Sequence, residues 1–256
     1  MKRHIIIHYH LYKNAGSTLD FILESHFNKN WLSYDPPNRA IGSLRPLEIV
    51  ECAADRPNLQ AISTHLAKVS PPKSDDCCYY PLVFLRHPLD RIGSVYAYLR
   101  TLPIEDEREH VLMAKKYSSA DFIRWRLDAR FGALIRNFQT AMLCNDHINL
   151  TYKVATSKDL DEAKCNISAL AFFGLVEHFD DSINAMKAYL RPQFGEIVSD
   201  YRIQNKNSER GASLNNRLDE LKQALGSSLY DELERANALD LELYQHAEQR
   251  FLNRGF

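Results

Sequence analysis

Apolar positions along the chain fall into short β-branched runs separated by stretches with helical spacing. His4-Ile5-Ile6-Ile7-His8-Tyr9-His10 is too short and too branched for a helix and reads as a buried strand. A turn follows from Leu11 to Thr18, and then an amphipathic stretch from Leu19 to Phe27. The pattern is strand, tight turn, helix. Tyr79 to Leu85 is a second buried strand, and Pro88 opens a helix through about Arg100 with Asp90 in its first turn, where the helix dipole favours it. Leu59 to His65 reads as a shorter strand ending in a histidine, and Pro46 to Ala54 as a short helix begun by proline. Asn30 to Pro46 and Ser70 to Asp76 carry proline pairs and read as loops.

The second half is mostly helical in spacing. Residues 103–120, with Glu105-Asp106-Glu107-Arg108-Glu109, have the composition of a solvated helical insertion or mobile lid. From Ser119 to Leu143, Phe122, Ile123, Trp125, Leu127, Phe131, Leu134 and Ile135 recur at helical intervals. Arg124, Arg126, Arg130 and Arg136 interleave with them, as either a solvated basic face or a wall for an anionic acceptor. Leu160 to Leu170 is helical, Tyr201 to Gly211 is polar loop, and Leu214 to Leu225 and Ser228 to Leu252 are amphipathic helices. Alternating strands and helices predict an α/β fold: a three-layer, P-loop-like domain with a central parallel sheet flanked by helices and a helical C-terminal part. At 256 residues, one domain spanning 1–256 is expected, long enough to bury a full core.

Charge narrows the partners. Lys+Arg 32 against Asp+Glu 33 leaves a net charge of −1, which argues against a general nucleic-acid surface. No apolar run approaches the roughly 18 residues of a membrane span. The first strand begins at once, leaving no room for a signal peptide, so a cytoplasmic enzyme of bacterial type is expected. Five cysteines at irregular spacing form neither a disulfide framework nor a CxxC metal pair.

The candidate chemistry lies in the first turn. Lys13, Gly16, Ser17 and Thr18 sit where the unpaired N–H groups of a helix start meet its positive dipole end, a site suited to phosphate or sulfate. The nucleoside-triphosphatase spelling is absent: Lys13 precedes Gly16 by three residues, whereas that pattern places lysine directly after a glycine. His65 ends a strand, where open α/β sheets gather their ligands.

Tyr12-Lys13-Asn14-Ala15-Gly16-Ser17-Thr18 resembles the 5′-phosphosulfate loop of sulfotransferases, which use 3′-phosphoadenosine 5′-phosphosulfate (PAPS). Pro81 to Tyr96 resembles the family's 3′-phosphate segment: a buried strand, then Arg86, Pro88, Arg91, Ser94 and Tyr96 at the family's intervals. The carbohydrate and heparan-sulfate 2-O-sulfotransferase branch, with its bacterial relatives, is the nearest likeness. Thr64-His65 stands where that branch often has Gly-His. Further along, Arg136-Asn137-Phe138-Gln139-Thr140 resembles a segment near the acceptor in bacterial members. Ala171 to Glu177 resembles the late strand, followed by a helix opening at His178 to Ser182, and Asn237 to Tyr244 resembles the closing helix.

The resemblance implies a donor held by Lys13, Asn14, Ala15, Gly16, Ser17 and Thr18 at its 5′ end. Arg86 and Ser94 would hold its 3′-phosphate, and Arg210 in the region that closes over the adenosine. It implies Lys13 beside the bridging oxygen, His65 as the base, no metal, and adenosine 3′,5′-bisphosphate as product. The acceptor is a glycan or small metabolite, attacking through a hydroxyl or an amine. A P-loop-type small-molecule kinase and a non-catalytic nucleotide-binding protein on the same fold stay open as alternatives.

Overall fold

The computed structural model describes residues 2–128, 132–145, 150, 154–197 and 213–254. Five strands, β1 (Arg3–Tyr9), β2 (Trp31–Ser33), β3 (Ala61–Thr64), β4 (Cys77–Leu85) and β5 (Gly174–Leu175), form one parallel sheet in the order β2-β3-β1-β4-β5. Helices α1 (Gly16–Phe27) and α2 (Pro46–Ala54) join the first three strands, a loop joins β3 to β4, and α3 (Pro88–Thr101) follows β4. After them come α4 (Glu109–Lys116), α5 (Ser119–Leu127), α6 (Phe138–Leu143), α7 (Ser157–Ala169) and α8 (Phe179–Phe194). Helices α9 (Leu214–Leu225), α10 (Ser227–Ala236) and α11 (Ala238–Asn253) end the chain. None of the described helices is long and apolar enough to cross a membrane.

Side-chain alternation along β1 explains the layers. Ile5, Ile7 and Tyr9 point to one face and pack with residues of α2, α6, α7 and α11. Ile6 points to the other, where Leu19, Ile22 and Leu23 of α1 meet Ile183, Met186 and Leu190 of α8. A strand buried on both faces belongs in the middle of a parallel sheet, which is why its apolar run is continuous. A third cluster lies among the helices: Leu89, Ile92, Val95 and Leu99 of α3 pack with α4, α5, α9 and α10.

The central parallel sheet flanked by helices is as the sequence predicts, but several elements differ. α1 begins at Gly16, three residues before the apolar periodicity, directly after the left-handed Ala15 that ends the preceding turn. β2 was hidden in an expected loop: three residues give no periodicity, and only pairing with β3 makes them a strand. The 119–143 stretch is broken into α5, a 3-10 turn at Gly132–Leu134 and α6, so its arginines do not share one face. Arg124 pairs with Asp121 on the surface, whereas Arg126 is buried; Arg130 lies outside the described residues. The segment expected as a solvated insertion holds α4, anchored by buried Val111 and Ala114 in the helical cluster. The expected 228–252 helix is two, divided at Asn237.

Candidate active site

Crossovers from β1 lead toward β2 and β3, while β4 leads toward β5. The strand order therefore reverses between β1 and β4, and such a switch point opens a crevice at the strands' carboxyl ends. The Leu11–Ala15 turn and the Arg86 segment both leave the sheet there.

Lys13 and Ala15 adopt positive φ, 66° and 62°. Each costs roughly 1–2 kcal/mol for a residue with a Cβ, so the surroundings must hold the turn. Three contacts do so. The Asn14 N–H donates to Leu11 O at 3.1 Å, the buried Asn14 side chain donates to Phe84 O at 2.7 Å and Gln139 Oε1 at 2.9 Å, and Arg86 Nη1 donates to Lys13 O at 3.0 Å. The N–H groups of Ala15, Gly16 and Ser17 donate to nothing among the described residues. Three successive free donors at the start of a helix form a concave anion-binding nest. Ser17 is exposed at its mouth, and Lys13 Nζ rests 4.0 Å over the ring of Tyr98. Asn14 and Thr18 are turned inward: Thr18 is fully buried and its N–H donates to Ala15 O at 3.0 Å.

Beside the nest stands a group of histidines. His8 and His10, two apart on β1 and just beyond it, face the same way. Each donates from Nδ1 to one oxygen of Asp20 at 2.7 Å. Ser63 Oγ lies 3.2 Å from the same His8 nitrogen and accepts from Trp31 Nε1 at 3.0 Å. Burial pushes the Asp20 carboxyl up, but the charge of His8 and hydrogen bonds from both rings outweigh it and hold it well below the usual range. Burial dominates at His10 and lowers it to about 4, so this ring is neutral at physiological pH. His8, His10 and Asp20 also gather potential metal-ligating atoms within 4.8 Å of one another, although both Nδ1 hydrogens are already engaged by the carboxylate.

His65 follows β3 at the same sheet end, stacked on His10 with ring centroids 3.8 Å apart. Its Nδ1 donates to Asp35 Oδ2 at 2.7 Å, and its side chain is 38% exposed. A carboxylate on Nδ1 leaves Nε2 as the free lone pair, the arrangement a general base requires.

Across the crevice, Arg86 spends Nε and Nη2 on Asp90 Oδ2, both at 2.8 Å, and Nη1 on Lys13 O. With five donor hydrogens, it keeps two. The other Asp90 oxygen accepts from Arg217 Nε at 2.8 Å, so one buried carboxylate aligns two guanidinium groups. Ser94 is half-buried, one helical turn beyond Asp90 on α3. Arg91 belongs to the core: it is fully buried, donates to Leu134 O at 2.7 Å and lies 4.5 Å from the Phe138 ring centroid. Arg210 lies outside the described residues. A groove of about 690 Å³ runs past His87, Leu214, Leu241 and Tyr244, but its Glu242 and Glu248 make it unsuitable for a phosphate.

Gln139 joins the two loops. Its Oε1 accepts from Arg86 N at 3.0 Å as well as from Asn14, and its Nε2 donates to Arg86 O at 2.8 Å. Gln139 is held in turn by a reciprocal cap between α6 and α11. Asp240 accepts the N–H groups of Gln139 and Thr140 at 3.0 and 2.7 Å. Asn137 Oδ1 accepts those of Leu239 and Asp240, both at 3.1 Å. Each helix start satisfies the other's orphan donors.

No family model matches the chain. It is similar over 257 residues, 96% of each chain, to an uncharacterized protein of Archaeoglobus fulgidus, at 26% identity. Among solved structures it is similar to mouse sulfotransferase SULT7A1 complexed with PAP, at 16% identity and a TM-score of 0.41, over 89% of this chain and 64% of that one.

Sequence reasoning missed Asp20, Asp35, His10 and Arg217 as members of this region, and took Gln139 only as part of a segment resembling one near the acceptor. Asp20 and His10 carried a local signal, since both flank the anion turn. Asp35 reaches the site only through long-range pairing and carried none.

Proposed function

We propose that the chain is a cytoplasmic sulfotransferase, moving a sulfuryl group from PAPS to a hydroxyl or amine of a carbohydrate or small-metabolite acceptor. The observation that carries the reading is the 3.0 Å hydrogen bond from Arg86 to Lys13 O, which brings both anion-binding segments to one crevice. A donor with phosphate at both ends of one nucleoside needs two such sites close together. The three free N–H groups support the fit at the 5′ end, and the aligned pair Arg86 and Arg217, with Ser94, supports it at the 3′ end. The likeness of Thr64-His65 to the heparan-sulfate 2-O-sulfotransferase branch is the ground for preferring a sugar hydroxyl.

PAPS supplies the activated sulfuryl group. The protein's part is placement and charge, as in phosphoryl transfer. The nest of Ala15, Gly16 and Ser17 holds oxygens of the phosphosulfate. Lys13, resting on Tyr98, is the mobile cation for charge developing on the leaving phosphate. His65 takes the acceptor's proton at Nε2, and Asp35 holds the other ring nitrogen. Arg86 and Arg217 read the 3′-phosphate, which ATP lacks.

Calorimetry tests the donor class. Adenosine 3′,5′-bisphosphate should bind without added metal and more tightly than ATP–Mg²⁺, and Arg86→Ala should weaken it by about tenfold or more, the range for a lost charge-assisted contact. Preference for ATP–Mg²⁺, or an unchanged constant in the variant, would remove the proposal in favour of a kinase.

A further inference from the structure

We propose that Asp35 is the positioning residue of His65, and that His10 is the plate against which the His65 ring stands. The proposal rests on His65 being the base of the reaction above. Asp35 is distant from His65 in sequence, and strand pairing brings it near. Ser33 of β2 is in register with Ser63 of β3, and Tyr34 N donates to Ser63 O at 2.8 Å, which carries the next residue to the carboxyl end of the sheet. There, one carboxylate accepts three donors: His65 Nδ1 at 2.7 Å, the His65 N–H at 2.8 Å and Thr64 Oγ1 at 3.0 Å. Because both the ring and the backbone of His65 are held, the imidazole is fixed in direction as well as tautomer. Burial pushes the Asp35 carboxyl up, and the hydrogen bonds from His65 and Thr64 more than cancel this, so its net shift is downward and it stays ionised.

The face of His65 that turns inward meets His10, inclined by only 28°. His10 is itself tied through Nδ1 to Asp20, and Gly16 passes so close to its ring that a methyl group there would overlap it. The plate is therefore clamped between α1 and the sheet. The groups facing His65 are Asp35 after β2 and His10 after β1, with Asp20 of α1 and His8 of β1 behind His10.

The test is Asp35→Asn in the full chain, read by ¹⁵N NMR of the His65 imidazole, by calorimetry with adenosine 3′,5′-bisphosphate and by turnover across pH. The expected result is loss of the Nδ1–H tautomer signature of His65. Donor affinity should be unchanged, kcat should fall about 10²-fold at constant KM, and the acid limb of the pH–rate profile should move to lower pH. Asp35→Glu, which keeps the charge, should restore part of the tautomer signature. A His65 tautomer and kcat both within twofold of wild type in Asp35→Asn would overturn the proposal while leaving the sulfotransferase reading intact. A lost tautomer signature in a protein that binds no bisphosphorylated adenosine would sustain the Asp35–His65 pairing and remove the sulfotransferase instead. One equivalent of zinc retained through dialysis and lost on His8→Ala would make His10 a metal ligand and overturn its role as a plate.

Discussion

Gly16→Ala isolates the contact on which the histidine group depends. The φ of Gly16 is not positive, so its backbone would tolerate alanine; the neighbouring ring would not. A Cβ there would lie 2.0 Å from His10 Cδ2, 2.3 Å from Nε2 and 2.6 Å from Cγ. The ring has no room to retreat, since Asp20 holds Nδ1 at 2.7 Å and His65 covers its face at 3.8 Å. Overpacking costs about 1–3 kcal/mol, and losing a hydrogen bond to a charged group about 1.5–3 kcal/mol. Alanine's better helix propensity offsets at most about 1 kcal/mol. The net expectation is destabilisation by about 2–4 kcal/mol, which lowers Tm by about 5–15 °C in a chain of this size. Urea titration of a double-mutant cycle gives the decisive number. In a His10→Ala background the obstacle is gone, and Gly16→Ala should be neutral or slightly stabilising, a coupling of about 3 kcal/mol. If Gly16→Ala cost the same in both backgrounds to within about 0.5 kcal/mol, steric conflict with His10 would be refuted as the reason for glycine.

Lys13→Ala should reduce turnover by about 10²–10³-fold, the usual loss for a group that stabilises developing charge, with donor affinity weakened less than tenfold by calorimetry; turnover within threefold of wild type would take the lysine out of the mechanism. Gln139→Leu removes the partner of both backbone groups of Arg86 and one of the two acceptors of the Asn14 amide, which keeps Phe84 O, and should lower the unfolding free energy by about 3 kcal/mol and weaken adenosine 3′,5′-bisphosphate binding. An unchanged urea midpoint would mean that Gln139 does not hold the two loops together.

What could be read from the sequence was what depends on near neighbours. β1 and β4 are continuous apolar runs because they are buried on both faces, and Pro46 and Pro88 mark helix starts through their own fixed φ. The strand, turn and helix start around Lys13 to Ser17 were legible because they are formed by consecutive residues. The histidine's partner was not, since Asp35 lies in a stretch whose proline pair spells only loop, and a three-residue strand must form first. Gln139 shows the opposite failure. Its segment drew notice for a place near the acceptor, yet its amide is turned into the protein to bridge residues 14 and 86. The division at Asn237 was hidden because amphipathic spacing continues on both sides of it. Only the buried Asn237 side chain, accepting from Asn137 N at 3.1 Å and donating to Leu233 O at 3.0 Å, reveals the break.

The exchange of caps between α6 and α11 has a consequence for biosynthesis. The turn that would greet the donor is synthesised long before the carboxylate that anchors the clamp steadying it, since more than 200 residues separate Asn14 from Asp240. A nascent polypeptide stalled short of Asp240 should therefore carry that turn loose and open to protease. Emergence of α11 would then tighten the Lys13 turn in a single late event.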